Sequence, residues 1–252
     1  MRPLKRGRAP ICLGQHQPTG VPREDWEQLR NERTCFESCR STLVVQQNGL
    51  CAYCEIDMRV PDASSPPSWD FQVEHFVPKS KDPQRVFDWE NLIGCCRGGT
   101  SGSHLGPHRA SRGEAPTCGE SKGDKEPGAL LDPYGDLTPQ QLLFHCHLDG
   151  RLVPHPGLPP SQKARAVESL NLLNLNDGRL SRLRKAVVDR LTDEVLLQTE
   201  AGVELEAAEE NVFRSVALRF EPDGLVEFFS VHRSFFGQIA ERCLREINYV
   251  VP

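Results

Sequence analysis

Apolar and polar positions alternate along this chain with three different rhythms. From Pro22 to Gln47, Trp26, Leu29, Arg33, Phe36, Leu43 and Val44 fall on a roughly helical stripe. Pro22 opens it, with Glu24 and Asp25 in the first turn where the helix dipole favours acids, and Asn48-Gly49 stops it. Phe71, Val73 and His75 then alternate with Gln72, Glu74 and Phe76, which predicts a strand ending at Pro78. A second short strand is expected over Asn91 to Cys95. Leu142 to Leu148 leads into Asp149-Gly150 as a hairpin does. Helical spacing returns over Ser161 to Leu173. It continues after Asn176-Asp177-Gly178, where Leu180, Leu183, Val187, Leu191 and Val195 line one face. Two further helical patterns cover 203–220 and 230–247.

Between these elements the punctuation is just as informative. Residues 1–20 are rich in Pro, Gly and Gln without a period and read as an extended arm, and 60–69 is a loop by composition. The stretch 98–113 carries too many Gly, Ser and His residues for regular structure. With 252 residues and 38% apolar content, the chain can bury one core plus an appendage. No apolar run approaches the ~20 residues of a membrane span, and the basic start, Met1 to Arg8, is not followed by an apolar secretory stretch. These features predict a cytosolic protein without a membrane partner. In a reducing compartment its ten cysteines point to metal or buried thiols rather than a disulfide framework.

Net charge is −5, which argues against a protein that coats nucleic acid non-specifically. The charge is unevenly spread. Residues 161–190 hold Lys163, Arg165, Arg179, Arg182, Arg184, Lys185 and Arg190, whereas 191–212 are acidic throughout. That contrast reads either as a phosphate-facing side next to a partner-facing side, or as two solvated helix faces.

The chemistry concentrates between Leu50 and Lys125. Cys51 and Cys54 have the spacing of a zinc knuckle, in which two thiolates on a tight turn reach one ion. Cys96 and Cys118 are the best candidates for the remaining ligands, with Cys95 a rival for the third place and His104 and His108 for the fourth. Four thiolates close the coordination sphere, so such a zinc is structural. Cys35 and Cys39, one helical turn apart, read as buried thiols. His145 and His147 share a strand face, which reads either as a metal-binding pair or as an ordinary half-polar strand. Glu74-His75, adjacent on a strand, point to opposite faces but can share a substrate at a twisted strand end.

The ordered set Cys51-x-x-Cys54, Glu74-His75-x-x-Pro78, Asn91-Leu92 and Cys96…Cys118-x-x-x-Lys122-Gly resembles the HNH endonucleases, whose core is a ββα-metal finger. More narrowly, it is similar to the HNH nuclease subunit of Septu-type and retron-linked anti-phage defence systems. The likeness extends to the helical segment Leu170 to Val187. It implies an α+β chain: an arm and helix over 1–49, a zinc-stapled nuclease core over 50–130, and a mostly helical region over 131–252 with a surface for a partner. His75 would be the general base. Glu74 would hold a catalytic Mg²⁺ or Mn²⁺ against the scissile phosphate of DNA or RNA. Asn91 would fix the loop that orients His75, and Lys122 would contact phosphate. The family companion is an ATPase of the ABC or SMC-like kind. One position departs from the pattern: Gly119 stands where the family places a second metal-binding His or Asn, which leaves Glu120 or Asp124 as substitutes. A zinc-stapled binding module with weakened catalysis is the alternative that this departure suggests.

Overall fold

The computed structural model describes residues 1–60, 68–100, 114–218 and 224–249. Over these residues the chain mixes helices with three two-stranded antiparallel sheets. The helix expected from Pro22 to Gln47 is divided into α1 (Pro22–Asn31) and α2 (Arg33–Gln46) at Glu32, whose ψ of 74° leaves the helical range. No Gly or Pro marks that break. It accompanies a tertiary contact, because the Glu32 carboxylate lies 3.3 Å from His16 Nε2. The N-terminal stretch is packed rather than free. Leu4 and Leu13 are buried, and the Arg6 guanidinium sits 3.4 Å from the centre of the Tyr134 ring. A 3-10 turn covers Ile11–Gln15, and a disulfide joins its Cys12 to Cys35 on α2, so Cys35 is not the free thiol its spacing suggested.

Asn48 and Gly49, with φ of 51° and 77°, turn the chain out of α2 into the cysteine knuckle. Strands β1 (Arg59–Val60) and β2 (Ser68–Trp69) follow, pairing across part of the expected loop. The central hairpin is β3 (Gln72–His75) against β4 (Leu92–Cys95), with Glu74 opposite Ile93 and His75 opposite Leu92. The ladder stops at His75, three residues before Pro78, because Phe76 N–H turns to Asn91 O and Val77 N–H to the Asn91 side chain. The short helix α3 (Cys118–Lys122) is held by the end of α4 (Pro160–Leu172): Cys118 N–H donates to Leu173 O at 2.8 Å and Ser121 Oγ to Leu172 O at 3.0 Å.

Before α4, β5 (Phe144–Cys146) and β6 (Leu152–Pro154) form the expected hairpin, turning through Gly150 at φ 82°. Helix α5 (Gly178–Glu200) is capped by Asp177, whose side chain accepts from Arg179 N–H, and α6 (Leu205–Val216) packs on it. The last helical pattern is divided at Gly237, φ 52°, into α7 (Phe229–Phe236) and α8 (Gln238–Glu246). Among the described residues no helix is long and apolar enough to cross a membrane.

Two cores result. Ile93, Tyr53 and Phe71 join a large one shared with Leu180, Leu191 and Phe213 of the C-terminal helices. Leu92 belongs to a smaller one with Leu13, Trp26, Leu29, Val86 and Trp89. Successive residues of β4 thus face different cores, as strand geometry requires, and the hairpin is clamped from both sides.

The segment 161–190 is not a simple basic surface. Arg184 is buried and donates to Gly150 O and Leu175 O, both at 2.7 Å, while buried Arg179 donates to Thr117 Oγ1 at 2.9 Å. Both cations brace the interior, where they satisfy carbonyl and hydroxyl oxygens that would otherwise be stranded. In the acidic segment, Glu206 and Glu210 are paired with Arg242.

Candidate functional site

The knuckle Cys51–Glu55 is closed by Cys51 N–H donating to Ile56 O and by Glu55 in the left-handed region, φ 66°. This curl brings Cys54 back beside Cys51. Buried Gln47 ties the knuckle to β4: its amide nitrogen donates to Leu50 O and Gly94 O, and its oxygen accepts from Gly94 N–H. No sequence pattern singled out Gln47, since its partners are set by the fold.

Five buried sulfurs meet there. Cys51 Sγ lies 4.0 Å from Cys118 Sγ, and Cys54 Sγ lies 3.7 Å from Cys96 Sγ. The sulfurs of Cys51, Cys95, Cys96 and Cys118 are all within 4.8 Å of one another. For thiolates at the usual Zn–S bond length the edge of a tetrahedron is about 3.8 Å. Both short contacts are near that length, and the buried quartet Cys51, Cys95, Cys96 and Cys118 can hold a metal ion such as zinc. Cys51, Cys96 and Cys118 belong both to that quartet and to the ligand set expected from the sequence. Cys54 and Cys95 compete for the fourth place: Cys95, expected as a rival for another position, stands in the quartet whose sulfurs all lie within 4.8 Å, and Cys54 lies 3.7 Å from Cys96. His104 and His108 lie outside the described residues. Burial pushes the Cys54, Cys95 and Cys118 thiols up, and a dication among them would reverse that by favouring thiolate.

Against this cluster lies a cleft of about 460 Å³ whose walls include Trp26, Glu74, His75, Lys79, Gly119 and Glu120. His75 is buried, its ring edge-to-face with Trp26 at 4.5 Å and its Nε2 3.0 Å from Val86 O. A carbonyl only accepts, so Nε2 carries the proton and Nδ1 is the basic nitrogen. Burial pulls the His75 pKa down to about 4, which keeps the ring neutral at ordinary pH.

Glu74 turns the other way, toward α3. Its Oε1 is 2.7 Å from Lys122 Nζ, and its Oε2 would be 2.9 Å from a Cβ placed on Gly119. The same Cβ would meet Cys95 Sγ at 3.2 Å, and Gly119 N–H donates to that sulfur. A side chain at 119 would therefore displace the carboxylate, which is a physical reason for glycine at this position. Burial raises the Glu74 pKa, and Lys122 pulls it back. Glu120 and Asp124 are exposed at the rim of the cleft.

Lys122 differs from its expected role as a phosphate contact. It is fully buried, with its ammonium committed to Glu74, to His75 O at 3.1 Å and to Gly123 O at 3.3 Å. It is the counter-ion that holds Glu74. Lys122→Met should cost on the order of 3 kcal/mol at pH 7, because it strands a buried carboxylate. Without the cation Glu74 holds its proton to higher pH, so the penalty shrinks as pH falls. Urea unfolding of both proteins at pH 7 and pH 5 checks this, and an equal penalty at both would refute it.

Asn91 is fully buried. Its Oδ1 accepts from Val77 N–H at 2.8 Å, and its Nδ2 donates to Val77 O at 3.0 Å and Arg85 O at 3.2 Å. It thereby closes the loop between His75 and Val86, whose carbonyl anchors the histidine. Asn91→Ala should cost about 2 kcal/mol, since three backbone groups lose their partner, and a shift in urea midpoint at unchanged slope would register it.

Among the described residues, the Cys/His/Asp/Glu donors that converge in threes or more are the cysteine quartet and a group of His16, Glu32 and Cys35. His145 and His147 have rings 5.3 Å apart but no third donor with them. A scan against models of known protein families and a search of curated proteins both find no match to this chain.

Proposed function

We propose that the chain is a metal-dependent endonuclease of the HNH type, hydrolysing phosphodiester bonds in DNA or RNA. The observation that carries this reading is His75: a neutral imidazole at a cleft, its tautomer set by Val86 O, beside a carboxylate and a cluster of buried thiols. Nδ1 takes the proton of the attacking water. Glu74 and, from the rim, Glu120 hold the divalent ion, Mg²⁺ or Mn²⁺; one or two carboxylates suffice because such ions keep most of their waters. When bound, that ion stabilises the charge that develops on the phosphate and on the leaving oxygen. Lys79 and Arg30 on the cleft wall take over the phosphate contact that Lys122 does not make. The cysteine cluster, loaded with zinc, fixes β4 and α3 and so the distance from Glu74 to the scissile bond.

The defence role and an ABC or SMC-like ATPase partner rest on the motif resemblance alone. A second reading has one observation in its favour: Glu74 is engaged by Lys122 and packed against Gly119, which suits a nucleic-acid- or protein-binding module with weakened catalysis. Purified protein incubated with supercoiled DNA and with mixed RNA in Mg²⁺ or Mn²⁺ separates the two. Cleavage that chelator abolishes and Glu74→Gln removes supports the nuclease. Retarded but intact nucleic acid supports the module.

A further inference from the structure

A second set of metal-type donors lies at the edge of the small core. Cys12 lies in the 3-10 turn and His16 caps it, while Glu32 forms the break between α1 and α2 and Cys35 sits in the first turn of α2. His16 Nε2 is 3.3 Å from Glu32 Oε2, and donor atoms of His16, Glu32 and Cys35 all lie within 4.8 Å of one another. The fourth donor, Cys12, is bonded to Cys35 with the Cα atoms 5.8 Å apart. Two sulfurs, an imidazole and a carboxylate are a donor set for tetrahedral zinc. The remaining eight cysteines are free, and the four-cysteine cluster serves a metal only with reduced sulfur. Conditions that keep that cluster reduced also expose Cys12, which is half-buried, to thiol exchange.

We propose that Cys12, His16, Glu32 and Cys35 form a second zinc site once their disulfide is reduced. Two molecules of a small thiol such as glutathione supply two electrons and two protons. The Cys12–Cys35 bond breaks, the reductant leaves as its own disulfide, and both cysteines become thiols. Zinc then displaces the two thiol protons to solvent and binds both thiolates, His16 and one oxygen of Glu32. The same four residues thus tie the N-terminal segment to the α1–α2 junction either covalently or through a metal. The tie lies close to the His75 anchor: the His16 ring packs on Phe87 at 5.2 Å, next to Val86, and Trp26 joins the same core.

The test is zinc stoichiometry on the full chain, oxidised and reduced, with the Cys12–Cys35 bond scored by mass. Each form is equilibrated with excess zinc, desalted and analysed for metal. Reduced protein should carry one more zinc per chain than oxidised protein in which the mass shows Cys12–Cys35 as the one disulfide and the other eight cysteines still free. In His16→Ala and in Cys12→Ser the difference should vanish. Equal zinc in both forms of the unaltered protein overturns the proposal without any variant, as does a full extra equivalent retained by Cys12→Ser.

Discussion

His75→Ala is expected to reduce metal-dependent cleavage by a factor of roughly 10²–10⁴, the usual contribution of a positioned general base, while leaving zinc content unchanged. The ring packs on Trp26 and hydrogen-bonds to Val86 O, both on the side of the small core, whereas the sulfurs meet on the other face of the hairpin. Zinc analysis and circular dichroism of the variant provide the control. Undiminished cleavage would assign the activity to another group. The histidine also predicts a pH effect that does not depend on catalysis. Its ring titrates near 6.5 when unfolded and about 4 in the fold. Between those values the unfolded chain binds the extra proton, so this contribution is intact above pH 6.5 and is lost as pH falls toward 4. The loss is on the order of 3 kcal/mol. A divalent ion on Glu74 would act in the same direction. Unfolding free energies of wild type and His75→Ala should therefore converge as pH is lowered through this window; parallel curves would refute the assignment.

Short-range features of this chain were legible and long-range ones were not. Alternation located β3, and the short strand expected over Asn91–Cys95 is β4, to within a few residues; Asn48-Gly49 marked the end of α2 and Asp149-Gly150 the turn between β5 and β6. Of the expected zinc ligands, Cys51, Cys96 and Cys118 meet in one buried quartet, with Cys95 as its fourth member, while Cys54, named by the knuckle spacing, lies 3.7 Å from Cys96. Periodicity could not reveal the break at Glu32, which contains no helix breaker and accompanies a contact with His16. The pairing of Cys12 with Cys35 spans 23 residues and leaves no local trace. Arg179 and Arg184 read as surface charge because composition does not register the buried oxygens that receive them. Gly119 looked like a missing ligand; a Cβ there would meet a carboxylate 45 positions earlier at 2.9 Å and displace it.

The other large effect is expected from the sulfurs. Cys51→Ser and Cys118→Ser should each abolish zinc binding and unfold the region around β4 and α3, because metal binding to such a site supplies on the order of 10 kcal/mol of folding free energy. The informative pair is Cys54→Ser and Cys95→Ser. Cys54 and Cys96 stand 3.7 Å apart, and Cys51 and Cys118 4.0 Å, each close to the edge length of a zinc tetrahedron. Cys95 instead accepts the Gly119 N–H and lies against the point where Glu74 approaches. On that geometry Cys54→Ser should lose zinc, whereas Cys95→Ser keeps it and disturbs only the packing behind Glu74. Glu74→Ala should likewise keep its zinc and lose Mg²⁺-dependent cutting. Elemental analysis decides among these. Full zinc in Cys54→Ser with none in Cys95→Ser would transfer the fourth position to Cys95, a member of the quartet whose sulfurs all lie within 4.8 Å. It would also place the structural metal directly behind the Glu74 carboxylate, so that loss of zinc and loss of cutting could no longer be separated.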